Sequence, residues 1–142
     1  MKERKRHTIK VFIVDDSKLV SDRLIVMISE LPGIEVVGQA KNAQEAIDSI
    51  QKLKPEAVIL DIRMPGGNGF DVLEKIKKDK SDTLVIMLTN YPYPQYREKC
   101  MNAGADFFFD KSTEFHKVIE VLKQVVQENK SQKTKEVKNN SK

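Results

Sequence analysis

Five short runs of β-forming apolar residues alternate with five helical patterns along this chain, of which the fourth is short and only weakly amphipathic. Such alternation favours a parallel sheet covered by helices on both faces, because each connection between parallel strands crosses over the sheet. Right-handed crossovers leave few topologies. We therefore expect an α/β fold, a doubly wound five-stranded sheet with the flavodoxin-like order 2-1-3-4-5. The runs are residues 8–14, Ile34–Ala40, Ala57–Leu60, Leu84–Thr89 and 107–109.

Length and charge distribution predict one domain with basic ends. The 142 residues fit a single domain, which we place at 8–128. A basic extension over 1–7 precedes it, and we expect a disordered Lys-rich tail over 129–142. The two ends carry most of the positive charge, so the body is mildly acidic although the net charge is +4. The net positive charge is therefore weak evidence for nucleic-acid binding.

The sequence carries no targeting or membrane signal. No apolar run approaches the length of a bilayer span, and the basic N-terminus lacks the apolar segment of a secretory signal. The single cysteine, Cys100, excludes an internal disulfide. These features predict a cytoplasmic protein that does not associate with membranes.

Polar residues stand where four of the five apolar runs end. Asp15 and Asp16 follow the first run, Asp61 the third, Thr89 closes the fourth and Lys111 follows the fifth. In the expected order these four strands are neighbours about 4.8 Å apart, with their carboxyl ends at one edge. Each residue alone has a structural explanation, as a cap, a turn residue or a solvated charge. Their joint placement favours a functional site.

The residue types at this edge suit phosphoryl transfer. Clustered carboxylates repel one another unless a cation lies among them, and oxygen ligands in an open site suit Mg²⁺. A carboxylate such as Asp61 is a competent nucleophile toward a phosphoryl group. Since the transferred group needs mainly alignment and charge neutralisation, the Lys111 ammonium and the Thr89 hydroxyl would each contact one of its oxygens.

The chain resembles the receiver domain of bacterial two-component response regulators over residues 10–127. The resemblance rests on the acidic pair Asp15-Asp16, on the pattern Asp-x-x-Met-Pro-x-x-x-Gly that begins at Asp61, on Thr89, and on the segment 104–111 that ends in Lys111. It implies that Asp61 accepts a phosphoryl group from a phosphohistidine. The donor would be a sensor histidine kinase or a histidine phosphotransfer protein. Such a chain phosphorylates and dephosphorylates itself rather than turning over a substrate as a conventional enzyme does.

The resemblance also assigns the remaining site residues. Asp16 and Asp61 would hold Mg²⁺ with the main-chain carbonyl of Arg63, and Asp15 would act through water. Thr89 and Lys111 would contact the phosphoryl group. Phosphorylation would draw Thr89 inward, let the aromatic switch residue Phe108 follow, and remodel the face made by the fourth helix, fifth strand and fifth helix.

Three positions depart from the family pattern. Asn90 replaces the usual small residue after the threonine, and Ser112 replaces the usual proline after the lysine, which leaves a cis or trans Lys111–Ser112 bond open. Phe108 replaces the commoner tyrosine. Strand alternation predicts Phe107 and Phe109 on a buried face and Phe108 on the opposite one.

Residues beside the site are expected to set the lifetime of the phosphoryl group. Arg63 and Tyr91 each stand two residues beyond a site residue, Asp61 and Thr89 respectively. Together with Asn90 they would tune the rate of hydrolysis. The sequence also predicts Ser112 as the cap of the fifth helix.

Two other classes of function remain open at this stage. One is an Asp-nucleophile phosphatase or phosphotransferase acting on small molecules, although those enzymes carry Asp-x-Asp after the first strand. The other is a receiver-like interaction module that is never phosphorylated. The leading prediction is a stand-alone receiver with no dedicated DNA-binding domain, which either binds a downstream protein partner or acts as an intermediate in a phosphorelay. A phosphorylation-dependent homodimer stays open.

Overall fold

Five parallel strands form the central sheet. The computed structural model describes residues 8–80 and 82–140, with side chains described through residue 130. A two-stranded antiparallel ribbon follows the third strand. The sheet contains β1 (Ile9–Val14), β2 (Ile34–Ala40), β3 (Ala57–Leu60), β6 (Leu84–Thr89) and β7 (Phe107–Asp110), and the ribbon is β4 (Arg63–Met64) with β5 (Gly67–Asn68). The order in the sheet is β2-β1-β3-β6-β7, which confirms the predicted order 2-1-3-4-5.

Helices cover both faces of the sheet, as the alternating pattern predicts. Phe12 and Val14 face one apolar layer, while Val11 and Ile13 face the other. Every residue of β3 is buried, as expected of an interior strand in a parallel sheet. The first layer lies under α2 (Ala43–Leu53), α3 (Gly69–Asp79) and α4 (Pro94–Asn102), and the second under α1 (Lys18–Ser29) and α5 (Phe115–Asn140). None of the described helices combines the length and apolar character that a membrane span requires.

Side-chain caps start the first two helices directly after their strands. The Ser17 hydroxyl accepts a hydrogen bond from the Val20 N–H, 3.2 Å away. Asn42 Oδ1 accepts one from the Glu45 N–H at 2.8 Å. The Glu45 carboxylate accepts a hydrogen bond from the N–H of Lys41 rather than from that of Asn42, so the arrangement resembles a capping box that extends one residue further back. These caps keep the loops at the carboxyl edge short.

The loop after β3 turns back tightly beneath Asp61. Gly66 has a φ of +75°, a conformation that glycine adopts without steric cost, and this lets β4 fold back on β5. The Gly69 N–H donates to the Ile62 carbonyl at 2.6 Å. Asn68 Oδ1 accepts from the N–H groups of Phe70 and Asp71, which starts α3. The segment therefore holds Asp61 between two rigid elements.

The structure corrects three expectations near the C-terminal end. Residues 129–140, predicted as a disordered tail, continue α5, because Lys, Glu and Gln extend an existing helix at little cost. Residues 1–7, predicted as a basic extension, and residues 141–142 lie outside the described residues.

The second correction concerns Ser112, which does not cap α5, because the helix begins at Phe115. The N–H and hydroxyl of Ser112 donate to Asp110 Oδ1 instead. The described peptide bonds include no cis bond, so Lys111–Ser112 is trans.

The third correction concerns the three phenylalanines of β7. Phe108 is the buried one, with 3% of its surface exposed, whereas Phe107 is 36% exposed. Both faces of β7 are covered, since Phe108 joins the layer under α4 and Phe109 packs against the layer under α5. The alternation of side chains along a strand shows which residues share a face of the sheet. It does not show which face is more deeply buried when helices cover both.

Candidate functional site

Three carboxylates meet at the carboxyl edge of β1 and β3. Val14 and Leu60 are register partners, so the residues that follow them, Asp15 and Asp61, lie side by side. The Asp61 N–H continues this pairing with a bond to the Val14 carbonyl at 3.0 Å. One oxygen from each of Asp15, Asp16 and Asp61 lies within 4.8 Å of the others. Asp15 and Asp61 are buried, while Asp16 is exposed.

Lys111 bridges two of these carboxylates. Its Nζ lies 2.8 Å from Asp15 Oδ2 and 3.1 Å from Asp61 Oδ2, and its side chain is 7% exposed. The backbone of Lys111 is fixed because its N–H donates to the Thr89 carbonyl at 2.8 Å. The remaining oxygen of Asp61, Oδ1, accepts from the Ile62 N–H at 2.7 Å. Strand ends from β1, β3 and β7 thus converge on one charge cluster.

Burial and charge oppose each other within this cluster. Burial raises the pKa of Asp61 above its usual value, and the Asp15 charge adds to this, while Lys111 works against it. Burial alone would lower the pKa of Lys111, but its bonds to Asp15 and Asp61 outweigh that effect and leave the pKa raised. The ammonium therefore stays charged at neutral pH and stabilises the carboxylates beside it.

Thr89 closes β6 next to the cluster, but its hydroxyl is engaged elsewhere. The side chain is fully buried, and Oγ1 accepts a hydrogen bond from the Tyr91 N–H at 3.0 Å. Its backbone pairs with Asp110 in the neighbouring strand. Thr89 thus holds the first residues of the β6–α4 loop in this conformation.

An open cavity of about 330 Å³ gives access to the acidic cluster. Asn90 and Tyr91 bring the β6–α4 loop to its rim, so both predicted rate-tuning residues of this loop lie at the entrance. Among the described residues that line this cavity, Thr89 is not included. The lining comprises Asp16, Ser17, Asp61, Arg63, Met64, Pro65, Asn90, Tyr91 and Lys111.

Arg63 connects the ribbon after Asp61 to α4. Its guanidinium carbon lies 4.1 Å from the centroid of the Tyr91 ring, and its Nη2 donates to the Tyr96 hydroxyl at 3.3 Å. The role of Tyr96 was not predictable from sequence, because a tyrosine in a weakly amphipathic helix fits loop packing as well as a partner surface. Only the fold brings residues 63 and 96 together.

Arg97 holds Phe108 from the α4 side. Its Nη1 donates to the Phe108 carbonyl at 3.1 Å, and its guanidinium lies 5.6 Å from the centre of the Phe108 ring. Phe108 lacks the hydroxyl that a tyrosine would carry at this position, so the contacts of Arg97 are with its backbone carbonyl and the face of its ring. No sequence signal marked Arg97, since it lies eleven residues away on an exposed helix face.

The donor set fits a hydrated divalent cation. All three acidic side chains offer oxygen atoms that lie within 4.8 Å of one another, and an open cavity is lined by Asp16 and Asp61. Mg²⁺ prefers this environment because it binds one or two carboxylates and keeps several of its waters.

A doubly wound sheet with three carboxylates and a buried lysine at its carboxyl edge fits a phosphoacceptor signalling domain. The family model of the response regulator receiver domain matches residues 11–129, and the chain belongs to that family. Nothing in the comparisons supports the alternative of a small-molecule phosphatase.

Individual relatives agree with this assignment. The response regulator GacA of Pseudomonas aeruginosa is 30% identical over 117 residues, which is 82% of this chain and 55% of GacA. A CheY-like receiver domain protein from Methanospirillum hungatei superposes with a TM-score of 0.78 at 26% identity, covering 88% of this chain and 98% of that one. A CheX-CheY-BeF3-Mg²⁺ complex from Borrelia burgdorferi superposes with a TM-score of 0.69 at 26% identity, covering 80% of this chain and 88% of that one. The chain spans about half the length of the curated relatives it matches.

Proposed function

We propose that this receiver domain accepts a phosphoryl group on the carboxylate of Asp61. The observation that carries the proposal is the position of this carboxylate, at the end of an interior strand and on the wall of the open cavity. One of its oxygens is oriented by the Ile62 N–H and the other by Lys111. A positioned nucleophile with a cation beside it meets the main requirement of phosphoryl transfer, which is alignment with charge neutralisation.

The acidic cluster would hold Mg²⁺ through Asp16, Asp61 and the main-chain carbonyl of Arg63, with Asp15 acting through water. When bound, the ion neutralises charge on phosphoryl oxygens. Lys111 lies close enough to Asp61 to neutralise another oxygen without a large movement. The similar structure from Borrelia burgdorferi is a CheX-CheY complex that contains Mg²⁺ and BeF3, which supports the proposal of a cation here.

Thr89 and Phe108 would couple the modified site to a binding surface. If the Thr89 hydroxyl turns toward the phosphoryl group, it gives up its bond to the Tyr91 N–H, and the β6–α4 loop is then free to move. Phe108 is buried, and its carbonyl oxygen accepts a hydrogen bond from Arg97 of α4. Its rearrangement would alter the face made by α4, β7 and α5, an ordering switch of the kind that phosphoryl groups produce elsewhere.

The partners are those that membership of the receiver family implies. Receiver domains interact with kinases and downstream effectors, and here the donor would be a sensor histidine kinase or a histidine phosphotransfer protein. The α4-β7-α5 face would bind a downstream protein or a second phosphorylated copy.

Mass spectrometry tests the phosphoacceptor directly. The intact chain is incubated with Mg²⁺ and acetyl phosphate, and we expect an adduct of one HPO₃ unit. Asp61→Asn should give no adduct, yet it should unfold at a higher temperature than the native chain, because it removes a buried carboxylate whose pKa is raised. An adduct that persists in Asp61→Asn, or the absence of an adduct on the native chain, would contradict the proposal.

We expect the double substitution Arg63→Ala with Tyr91→Ala to speed hydrolysis of the phosphoryl group severalfold. The stacked pair covers part of the cavity mouth, and its removal would admit water to the modified carboxylate. The decay of the adduct is followed after the phosphodonor is removed. Tyr93→Ala is the matched control, because Tyr93 belongs to the same aromatic group but does not line the cavity. Equal decay in all three proteins would contradict the prediction.

A further inference from the structure

A second cavity, of about 350 Å³, lies between α2 and α3 at the amino edge of the sheet. Its walls come from the last turns of both helices and from the residues that precede β3 and β6. Asp61 stands at the opposite, carboxyl edge. The phosphoacceptor site therefore does not account for this cavity.

The interior of this cavity is apolar. Ile47 and Ile50 of α2 face Ile76 of α3 across it, and Pro55 and Thr83 complete the inner surface. Ile76, Pro55 and Thr83 are buried, whereas the two α2 isoleucines are half-buried. A volume near 350 Å³ falls within the range of about 300–1,000 Å³ that small-molecule sites occupy.

The rim of the cavity carries three lysines and one aspartate. The Asp79 carboxylate on the wall is already engaged, since Oδ1 lies 3.6 Å from Lys75 Nζ and Oδ2 accepts from Gln51 Nε2 at 3.1 Å. Lys54 and Lys80 also line the opening, and neither forms an ion pair with a described residue. An entering anion would thus meet the ammonium groups of Lys54 and Lys80.

The backbone at Lys54 supports a role for its side chain. Lys54 ends α2 in the left-handed conformation, with a φ of +50°, and among the described residues it alone does so without being glycine. Glycine is the usual residue at such a helix end, because it adopts positive φ without steric cost. The chain keeps a lysine there in spite of the strain, and that lysine lines the cavity mouth.

We propose that the α2–α3 cavity binds a small anionic amphiphile, such as a medium-chain carboxylate. The apolar chain would lie against Ile47, Ile50 and Ile76, and the carboxylate would bind Lys54 and Lys80 at the rim. The cavity is too small for a folded peptide segment, and its apolar interior does not suit a polar anion.

Titration of the full chain with decanoate below its micelle concentration tests this site by ¹H–¹⁵N NMR. The expected result is a saturable shift of the amide signals of Ile47, Ile50 and Ile76. Decanol and decylamine share the alkyl chain but lack the negative charge, so they should bind more weakly. Shifts that do not saturate, shifts spread over α1 and α5, or equal binding of decylamine would overturn the proposal.

Two lysine variants separate recognition from stability. Lys54→Gly should weaken decanoate binding about fivefold, the effect of one partly exposed charge. It should melt no lower than the native chain, because glycine relieves the strained backbone. Lys78→Gln is the matched control, since Lys78 is an exposed lysine of α3 that does not line the cavity. Equal affinity of the two variants would refute the assignment of Lys54.

Discussion

Replacing Lys111 by methionine is expected to lower the free energy of unfolding by about 3 kcal/mol at neutral pH. The ammonium is bonded to both Asp15 and Asp61 in a largely buried cluster. Without it, two buried carboxylates face each other with no compensating charge. The same substitution should slow formation of the Asp61 adduct on the order of a hundredfold, as loss of one charge-stabilising donor does elsewhere. Urea denaturation and adduct formation over time measure the two effects.

The stability loss in Lys111→Met should depend on pH in a defined direction. A raised pKa means that the folded state prefers Asp61 protonated, so its ionisation costs stability as pH rises through that pKa. The loss should therefore shrink as the solution is made more acidic. Adding Asp61→Asn to Lys111→Met should restore much of the stability, since the two residues contact each other. A loss that is independent of pH and is not rescued would contradict this explanation.

Replacing Gly69 by alanine is expected to destabilise the chain by about 3 kcal/mol, the upper end of the cost of an overpacked position. An alanine Cβ at this position would overlap the carbonyl oxygen of Asp61, and backbone atoms of Asp61 and Ile62 crowd the same space. Unlike a side chain, these backbone atoms cannot move aside by changing rotamer, so the whole β3–α3 connection must shift. Because this shift moves Asp61 itself, adduct formation should fall on the order of a hundredfold.

Gly66→Ala is the matched control for Gly69→Ala. Gly66 lies in the same loop with open space around its Cβ position but a φ of +75°. Alanine there should cost only about 1 kcal/mol, from backbone strain, and should leave adduct formation close to native. Denaturation and phosphorylation are measured on both variants. Equal stability and equal phosphorylation rates of the two variants would contradict the explanation that glycine is required at position 69 because the backbone of Asp61 lies so close.

The strand pattern was predictable because each strand is a short apolar run bounded by turn residues. Ile34–Ala40, Ala57–Leu60 and Leu84–Thr89 begin and end as the sequence predicts. Both caps after the first two strands are also local signals, since the side chain and the N–H it accepts from are three residues apart. The C-terminal end of α5 was not predictable from its apolar stripe, because helix propensity carries the helix beyond the last buried residue.

The acidic cluster was predictable for a topological reason. Parallel strands place their carboxyl ends at one edge, so Asp15, Asp61 and Lys111 had to lie near one another once the strand order was expected. The bridging position of Lys111 between Asp15 and Asp61 was not predictable, because it depends on side-chain rotamers and on backbone contacts across β6 and β7.

The sequence by itself determined the alternating β-α order, the strand order and the edge at which the carboxylates collect, because apolar periodicity and crossover handedness are local or topological. Only the tertiary structure decided which phenylalanine of β7 is buried, that Arg63 reaches Tyr96, and that Arg97 anchors Phe108. Those contacts join elements far apart in the chain, and their geometry depends on how helices pack over both faces of the sheet.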